Sequence, residues 1–277
     1  RVAMARLDAE SVRASLGDLA LRRLERFEAF AAIESTNSYL MQDEPPAAGG
    51  FRLALTDNQT AGRGRHGRTW QSPPGTGLCL SVAYTFAAAP RNLPALTLAI
   101  GLGLIDALDS LGVTGVSLKW PNDLIANDGK LGGILTESQP LAGDAIHVVS
   151  GVGLNVNLPR DFNLGAEAER AQPVADLAGL VDDLPSPNVI AACLVDGLCG
   201  VFVDYEARGF EAFAGRWRER DWLRGRELTI EMPPEPLAGT GAGVADDGAL
   251  LVAVGGGTIQ RVTSGTVVVA GHHGAKP

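Results

Sequence analysis

Apolar side chains fall on every second position from residue 78 to 85: Leu78, Leu80, Val82 and Tyr84 alternate with smaller or polar residues. A period of two predicts a strand with one face in a core. A shorter strand, Leu53-Ala54-Leu55-Thr56, precedes it. Residues 94–111 are apolar nearly all round and predict a buried helix. Short strands follow at 116–119 and 124–126, and longer ones at 131–137 and 146–155. Asn127-Asp128-Gly129 supplies hairpin turn chemistry between two of them. Residues 1–30 read as polar helix, with Leu16, Leu19, Leu21 and Leu24 roughly on one stripe. Ser35-Thr36-Asn37, just ahead of Tyr39-Leu40-Met41, reads as a helix N-cap. After a loop to about Pro185, Ser186-Pro187 opens a long amphipathic helix to about Ala207.

The pattern changes near Gly225. Short strands at 226–231, 237–244, 249–254, 258–262 and 266–269 are separated by Gly and Asp turns such as Asp246-Asp247-Gly248. Closely spaced strands of this kind predict a small β-barrel. The expected fold is α+β: a mixed, mostly antiparallel sheet flanked by helices over 1–224, and a C-terminal β-barrel over 225–277.

Composition narrows the function. With 277 residues, 45% of them hydrophobic, the chain can bury a large core. A net charge of -9 opposes non-specific nucleic-acid binding, which needs Lys and Arg against phosphate. Cys79, Cys193 and Cys199 sit in apolar runs and read as buried thiols of a reducing compartment, without disulfide or metal spacing. No secretory signal is visible, and Asp106 and Asp109 interrupt the most apolar stretch, so no membrane span is expected.

Basic residues are focused in one place, Gly62-Arg63-Gly64-Arg65-His66-Gly67-Arg68-Thr69-Trp70. Glycine lets the backbone approach a ligand closely, and arginine presents a fork of donors to phosphate or carboxylate. Flanked by strands, this run reads as an anion clamp over a nucleotide-like ligand; the plainer reading is a solvated segment or a single-strand nucleic-acid contact. Lys119-Trp120-Pro121-Asn122-Asp123 places a cation, an amide and a carboxylate at a strand end, though Pro-Asn-Asp is also ordinary turn chemistry. Lys130-Leu131-Gly132-Gly133-Ile134-Leu135 and Gly151-Val152-Gly153-Leu154-Asn155-Val156-Asn157 put glycines inside strands. Such glycines mark a bulge or a close approach by a ligand or a second backbone.

Taken in order, Ser35-Thr36-Asn37, Gln59 with the Arg/Gly run, the 119–123 block, the 130–135 block and the 151–157 block resemble the biotin protein ligase family. The resemblance covers roughly residues 30–270. It implies a class II synthetase-like catalytic domain followed by an SH3-like barrel. It also implies an ATP-dependent, carbon–nitrogen bond-forming biotin–[acetyl-CoA-carboxylase] ligase. Such an enzyme uses ATP, biotin and Mg²⁺ to make biotinyl-5′-AMP, then acylates a lysine of a biotin carboxyl carrier domain.

Carried over by motif, Ser35, Thr36, Asn37, Gln59, Arg63, Gly64, Arg65, Lys130, Gly132 and Gly133 would bind biotin. Arg65, Arg68, Trp70, Lys119, Asn122, Asp123, Lys130 and Asn155 would bind ATP. Lys130, Arg65 and Lys119 would be catalytic, and Asp123 would hold Mg²⁺. A cytoplasmic monomer or homodimer is expected, with no nucleic-acid or membrane partner. Only about thirty residues precede the matching region, so no repressor role is expected. His272-His273 matches nothing in the pattern. The rival readings are a lipoate ligase or octanoyl transferase of similar fold, and a nucleic-acid-binding protein using the Arg63–Arg68 loop.

Overall fold

The computed structural model describes residues 7–162 and 173–269; His272-His273 lies outside them. Its main sheet has seven strands: β1 (Leu24–Phe30), β2 (Phe51–Thr56), β3 (Gly77–Phe86), β4 (Ser117–Lys119), β5 (Asp123–Ala126), β6 (Gly129–Pro140) and β7 (Ile146–Asn155). Their order is β1-β2-β3-β7-β6-β5-β4, with β1 and β2 parallel and the remaining pairs antiparallel. The turn between β5 and β6 has Asn127 and Asp128 at φ 48 and 58, the left-handed pair that a type I′ hairpin requires.

The alternation in β3 divides the sheet into two faces. Leu78, Leu80, Val82 and Tyr84 share a core with Phe51, Leu53 and Leu55 of β2 and with two long helices, α4 (Leu96–Ser110) and α5 (Pro187–Arg208). Tyr84 and Phe202 stack with ring centroids 5.2 Å apart, and the Tyr84 hydroxyl donates to Glu206 Oε2 at 2.6 Å. Burying a side chain of this size stabilises by about 1.5–3 kcal/mol. On the opposite face a shorter helix, α3 (Thr36–Gln42), sets Leu40 on Ala54, Ala83 and Val149. Ser35 caps α3, its side chain accepting from the Ser38 amide as expected. Past Val149 and Ala83 the next residues on that face are Gly151 and Ser81, which meet only the polar first turn of α3, Thr36 and Asn37: the cavity begins there.

The C-terminal strands β8 (Glu227–Glu231), β9 (Leu237–Val244), β10 (Leu250–Val254), β11 (Thr258–Val262) and β12 (Thr266–Val269) form an SH3-like antiparallel sheet in the order β11-β10-β9-β8-β12. The edge strands β11 and β12 do not pair, so the expected barrel is not closed. The sheet is tied to the larger unit through Trp120 Nε1, donating to Gly248 O at 2.9 Å, and Asn92 Nδ2, donating to Asp246 O at 3.1 Å.

Two further expectations need correction, and one helix was not foreseen. Residues 1–30 do not form one helix: the described part holds α1 (Ala9–Arg13), α2 (Asp18–Arg23) and then β1. The supposed stripe is split, since Leu16 is buried while Leu19 and Leu21 are exposed. A further helix, α6 (Glu211–Arg220), fills the stretch between α5 and the C-terminal strands, burying Phe213 and Trp217 one turn apart. Finally, Asp106 and Asp109 do not disqualify residues 93–110 by polarity. Leu93–Ser110 and Pro187–Arg208 are both long and apolar enough to cross a membrane, each with mean hydropathy 1.5. Their packing against each other and the sheet marks them as core helices.

Candidate active site

This end of the sheet face floors a cavity of about 290 Å³. Residues 62–70 fold over it as a closed hairpin, not as an open tract. Gly64 N donates to Arg68 O at 2.7 Å and Trp70 N to Gly62 O at 3.0 Å, around a turn with His66 at φ 54. The residues around the cavity include Arg63, Arg65, Arg68, Lys119 and Lys130, against one carboxylate, Asp123. In a chain of net charge -9 this is a local anion site.

The cations are held in different ways. Lys130 Nζ lies 2.7 Å from Asp123 Oδ1, close as a charge pair although not aligned as a hydrogen bond. Its backbone is fixed too: Lys130 N donates to Pro173 O at 2.6 Å, and Lys130 O accepts from Ala175 N at 2.9 Å. Lys119 stands over the Trp222 ring, 5.7 Å from its centroid. Burial lowers the Lys119 pKa, with Lys130 and Arg68 adding to the effect and Asp123 opposing it. Burial also lowers that of Arg65, again opposed by Asp123. A guanidinium starts so high that Arg65 stays charged. Arg68 reaches across to the C-terminal sheet, donating to Thr266 Oγ1 at 3.0 Å.

At the other end of the cavity lies a polar cluster of the buried Thr36, Asn37 and Ser81 with the half-buried Gln59. Gln59 Oε1 accepts from Thr36 N at 2.9 Å, with Thr36 Oγ1 3.1 Å away. Ser81 Oγ is 2.7 Å from both Thr36 Oγ1 and Asn37 Oδ1. Asn37 Nδ2 donates to Leu135 O and to Glu137 Oε2, each at 3.0 Å, which fixes Oδ1 as the side facing Ser81. Asn37 Oδ1 carries no hydrogen, so the single Ser81 proton belongs to that contact. Thr36 must then donate to Ser81, and Gln59 Oε1 keeps the Thr36 amide as its firm donor.

The strand glycines serve these side chains. A Cβ on Gly153 would lie 2.3 Å from Trp70 Cε2, and one on Gly151 would lie 2.2 Å from Asn37 Oδ1. Trp70 therefore lies against a floor of Gly153 and its cross-strand partner Gly133, with Lys130 Nζ 5.8 Å from the ring centroid. Cys79 borders the same floor. Its thiol is pushed up to about 12 by burial, and by the Asp57 charge, against a lowering contact from Trp70. It stays protonated near neutrality, which argues against it as a nucleophile.

Most residues that the sequence singles out converge here: Ser35, Thr36, Asn37, Gln59, Arg63, Gly64, Arg65, Arg68, Trp70, Lys119, Asn122, Asp123, Lys130, Gly133 and Asn155 all line the cavity. Gly132 does not; a Cβ there would meet Gly153 O at 2.7 Å, so it serves strand packing. Two of the amides are partly committed. Asn122 Nδ2 donates to Ile134 O at 2.8 Å, and Asn155 Nδ2 lies 3.1 Å from both Lys130 O and Ala175 O. Each keeps its carbonyl oxygen as the side-chain group most free to meet a ligand. Residues absent from the sequence reading are Ser81, Glu137, Trp222 and the β12 segment around Thr266. Their signal lies in register and topology, not in any local motif.

Comparison with known proteins agrees with this geometry. Residues 29–155 match the Biotin/lipoate A/B protein ligase family, and residues 225–269 the Biotin protein ligase C terminal domain. The chain is 33% identical over 220 residues to the Bifunctional ligase/repressor BirA of Escherichia coli, covering 79% of this chain and 67% of that protein. It is 33% identical over 222 residues to the Biotin–[acetyl-CoA-carboxylase] ligase of Mycobacterium tuberculosis, covering 78% of each. Among solved structures, a biotin protein ligase from Aquifex aeolicus in complex with biotin and ATP superposes with a TM-score of 0.71. That match has 24% identity and covers 88% of this chain and 98% of that one, a likeness of fold. With its loop, its cationic cavity and its C-terminal sheet, the chain belongs to the biotin protein ligase family.

Proposed function

We propose that the chain activates biotin with ATP as biotinyl-5′-AMP and passes the biotinyl group to a lysine of a biotin carboxyl carrier domain. The observation that carries this reading is one cavity with two chemically distinct ends. Cations and an indole stand at one end, and a buried donor–acceptor cluster at the other. A triphosphate and a purine suit the first, and a ureido ring, rich in N–H and C=O, suits the second.

In the first step a biotin carboxylate oxygen attacks the α-phosphorus and pyrophosphate leaves. In the second the acceptor amine attacks the acyl carbon, AMP leaves, and the amine loses a proton. Both steps place negative charge on phosphate oxygens, so positioned cations supply much of the stabilisation. Lys130 is assigned to the carboxylate and the α-phosphate, Lys119 and Arg68 to the phosphates, and Trp70 to the adenine. Ser35, Thr36, Asn37 and Gln59 are assigned to the biotin ring, with Arg63, Gly64 and Gly133 around it.

Asp123 Oδ1 is buried without a hydrogen bond, and the described residues hold no group of three or more His, Cys, Asp or Glu side chains suited to a metal. That fits Mg²⁺ arriving with the nucleotide, held by one carboxylate and the phosphates. Bound there, Mg²⁺ would neutralise phosphate charge. In this reading residues 1–224 form the catalytic domain and 225–277 the C-terminal domain, in a cytoplasmic enzyme.

The direct test is biotin-dependent exchange of labelled pyrophosphate into ATP. Exchange with biotin but not with lipoate is expected; exchange with lipoate alone would assign the enzyme to the other branch of the family. A related outcome concerns Arg65: its carbonyl accepts from Arg68 N at 3.1 Å, while its guanidinium makes no ion pair or hydrogen bond among the described residues and is thus available to a ligand. Arg65→Gly should loosen the loop and raise free biotinyl-AMP in the medium about tenfold, as one lost charged contact implies. Mass spectrometry of the filtrate reads this, and an unchanged level would remove Arg65 from that role.

A further inference from the structure

Glu137 lies on β6 in the row of Gly133 and Leu135, one alternation beyond the cavity edge. Three donors converge on its carboxylate. Arg63 Nη2 reaches Oε1 at 2.8 Å, and Arg63 Nη1 reaches Oε2 at 3.1 Å. Asn37 Nδ2 reaches the same Oε2 at 3.0 Å. We propose that Glu137 is the positioning residue that latches the Arg/Gly loop to the polar cluster of the cavity. The inference rests on the ligase reading and adds to it a residue outside the recognisable motifs.

An isolated surface ion pair would mean little, because solvent screens it and two long side chains must be ordered. This pair differs in two respects. It is bidentate, and although the Arg63 side chain is 47% exposed, that of Glu137 is only 24% exposed. It also continues through the buried Asn37, Ser81 and Thr36 in a chain of hydrogen bonds. From Arg63 the chain runs to Glu137, to Asn37, to Ser81, to Thr36 and, through the Thr36 amide, to Gln59. One end is a loop residue and the other lies in the site assigned to the biotin ring. A ligand that orders Gln59 and Thr36 therefore favours the geometry that receives Arg63, and a docked Arg63 favours that of the ring site.

The chain also shows what removing Glu137 would spare. Asn37 would keep Leu135 O and Ser81 Oγ, so the polar cluster should stand. Among the described residues the Arg63 side chain would keep only Ser38 Oγ, at 3.2 Å. The loss should fall on the loop.

The test compares Glu137→Ala, Glu137→Gln, Arg63→Ala and the double variant Glu137→Ala/Arg63→Ala in pyrophosphate exchange, with free adenylate measured in the absence of acceptor. Glu137→Ala is expected to raise the KM for biotin about tenfold and to raise released adenylate similarly, the loss falling on KM more than on kcat. The KM for ATP should stay near the wild-type value. Glu137→Gln, which keeps an oxygen for Asn37 but not the charge, should fall between. The double variant should be no worse than Arg63→Ala, because the two residues act as one unit. Additive losses, equal rises in both KM values, or a Glu137→Ala enzyme like wild type would overturn the proposal while leaving the ligase reading standing. A folded wild-type protein without exchange would overturn both.

Discussion

Lys130→Ala should lower biotin-dependent pyrophosphate exchange by on the order of 10²–10³-fold without unfolding the protein. The side chain is the part of Lys130 that the fold can spare. Its amide and carbonyl bind Pro173 and Ala175, and alanine keeps both of those bonds. Its ammonium pairs with Asp123 2.7 Å away, on the cavity wall. Removing the ammonium also leaves Asp123 facing incoming phosphate without its partner, so repulsion adds to the lost attraction. A melting temperature close to wild type, alongside the loss of exchange, is the expected pair of results. Normal exchange would show that some other cation stands at the reacting phosphate.

Gly153→Ala should give the second large effect, on the nucleotide rather than on biotin. The added methyl would sit 2.3 Å from Trp70 Cε2 and 2.7 Å from Cδ2 and Cζ2, so the indole must leave the sheet floor. Forcing apart a packed contact of this kind costs about 1–3 kcal/mol. A displaced platform also forfeits base stacking, worth about 1–3 kcal/mol, so the KM for ATP should rise tenfold or more. Gly151→Ala is the internal control, because its methyl would collide with Asn37 Oδ1 and spoil the polar cluster instead. Steady-state kinetics should thus split by position: ATP affinity lost at 153, biotin affinity lost at 151. Equal effects on both substrates from either change would mean the two ends of the cavity are not separate.

Much of the fold was legible because its central strands are strongly periodic. The alternation of Leu78, Leu80, Val82 and Tyr84 directly reports a face packed on α4 and α5. The edge of the sheet was not legible. In β1 every residue except the exposed Glu25 is half-buried, charged Arg26 and Glu28 as much as Phe27 and Ala29, so its pattern carries little hydrophobic contrast. Short polar helices on either side of the core were equally obscure: α6 shows only Phe213 and Trp217 as its buried side. At the site, local chemistry was readable and shared positions were not. The Arg/Gly loop announces itself by composition, whereas Ser81 and Glu137 acquire meaning only because β3, β7 and β6 lie side by side in register. Asn122 and Asn155 show the converse, since part of each amide is occupied by backbone.

The single proton of Ser81 has a consequence for substrate choice. Because it is owed to Asn37, hydrogen-bond directions through Thr36 to Gln59 are set before any ligand arrives. The cavity therefore offers a fixed polarity rather than adaptable hydroxyls. A dithiolane ring brings no N–H and no C=O to answer it, and its entry would strip water from buried groups while giving nothing back. Sites built in this way reject an analogue lacking the polar group by about 10⁴–10⁵-fold. Discrimination between the two vitamin-like acids of this family would then need no proofreading step: it would already be written in the orientation of one hydroxyl.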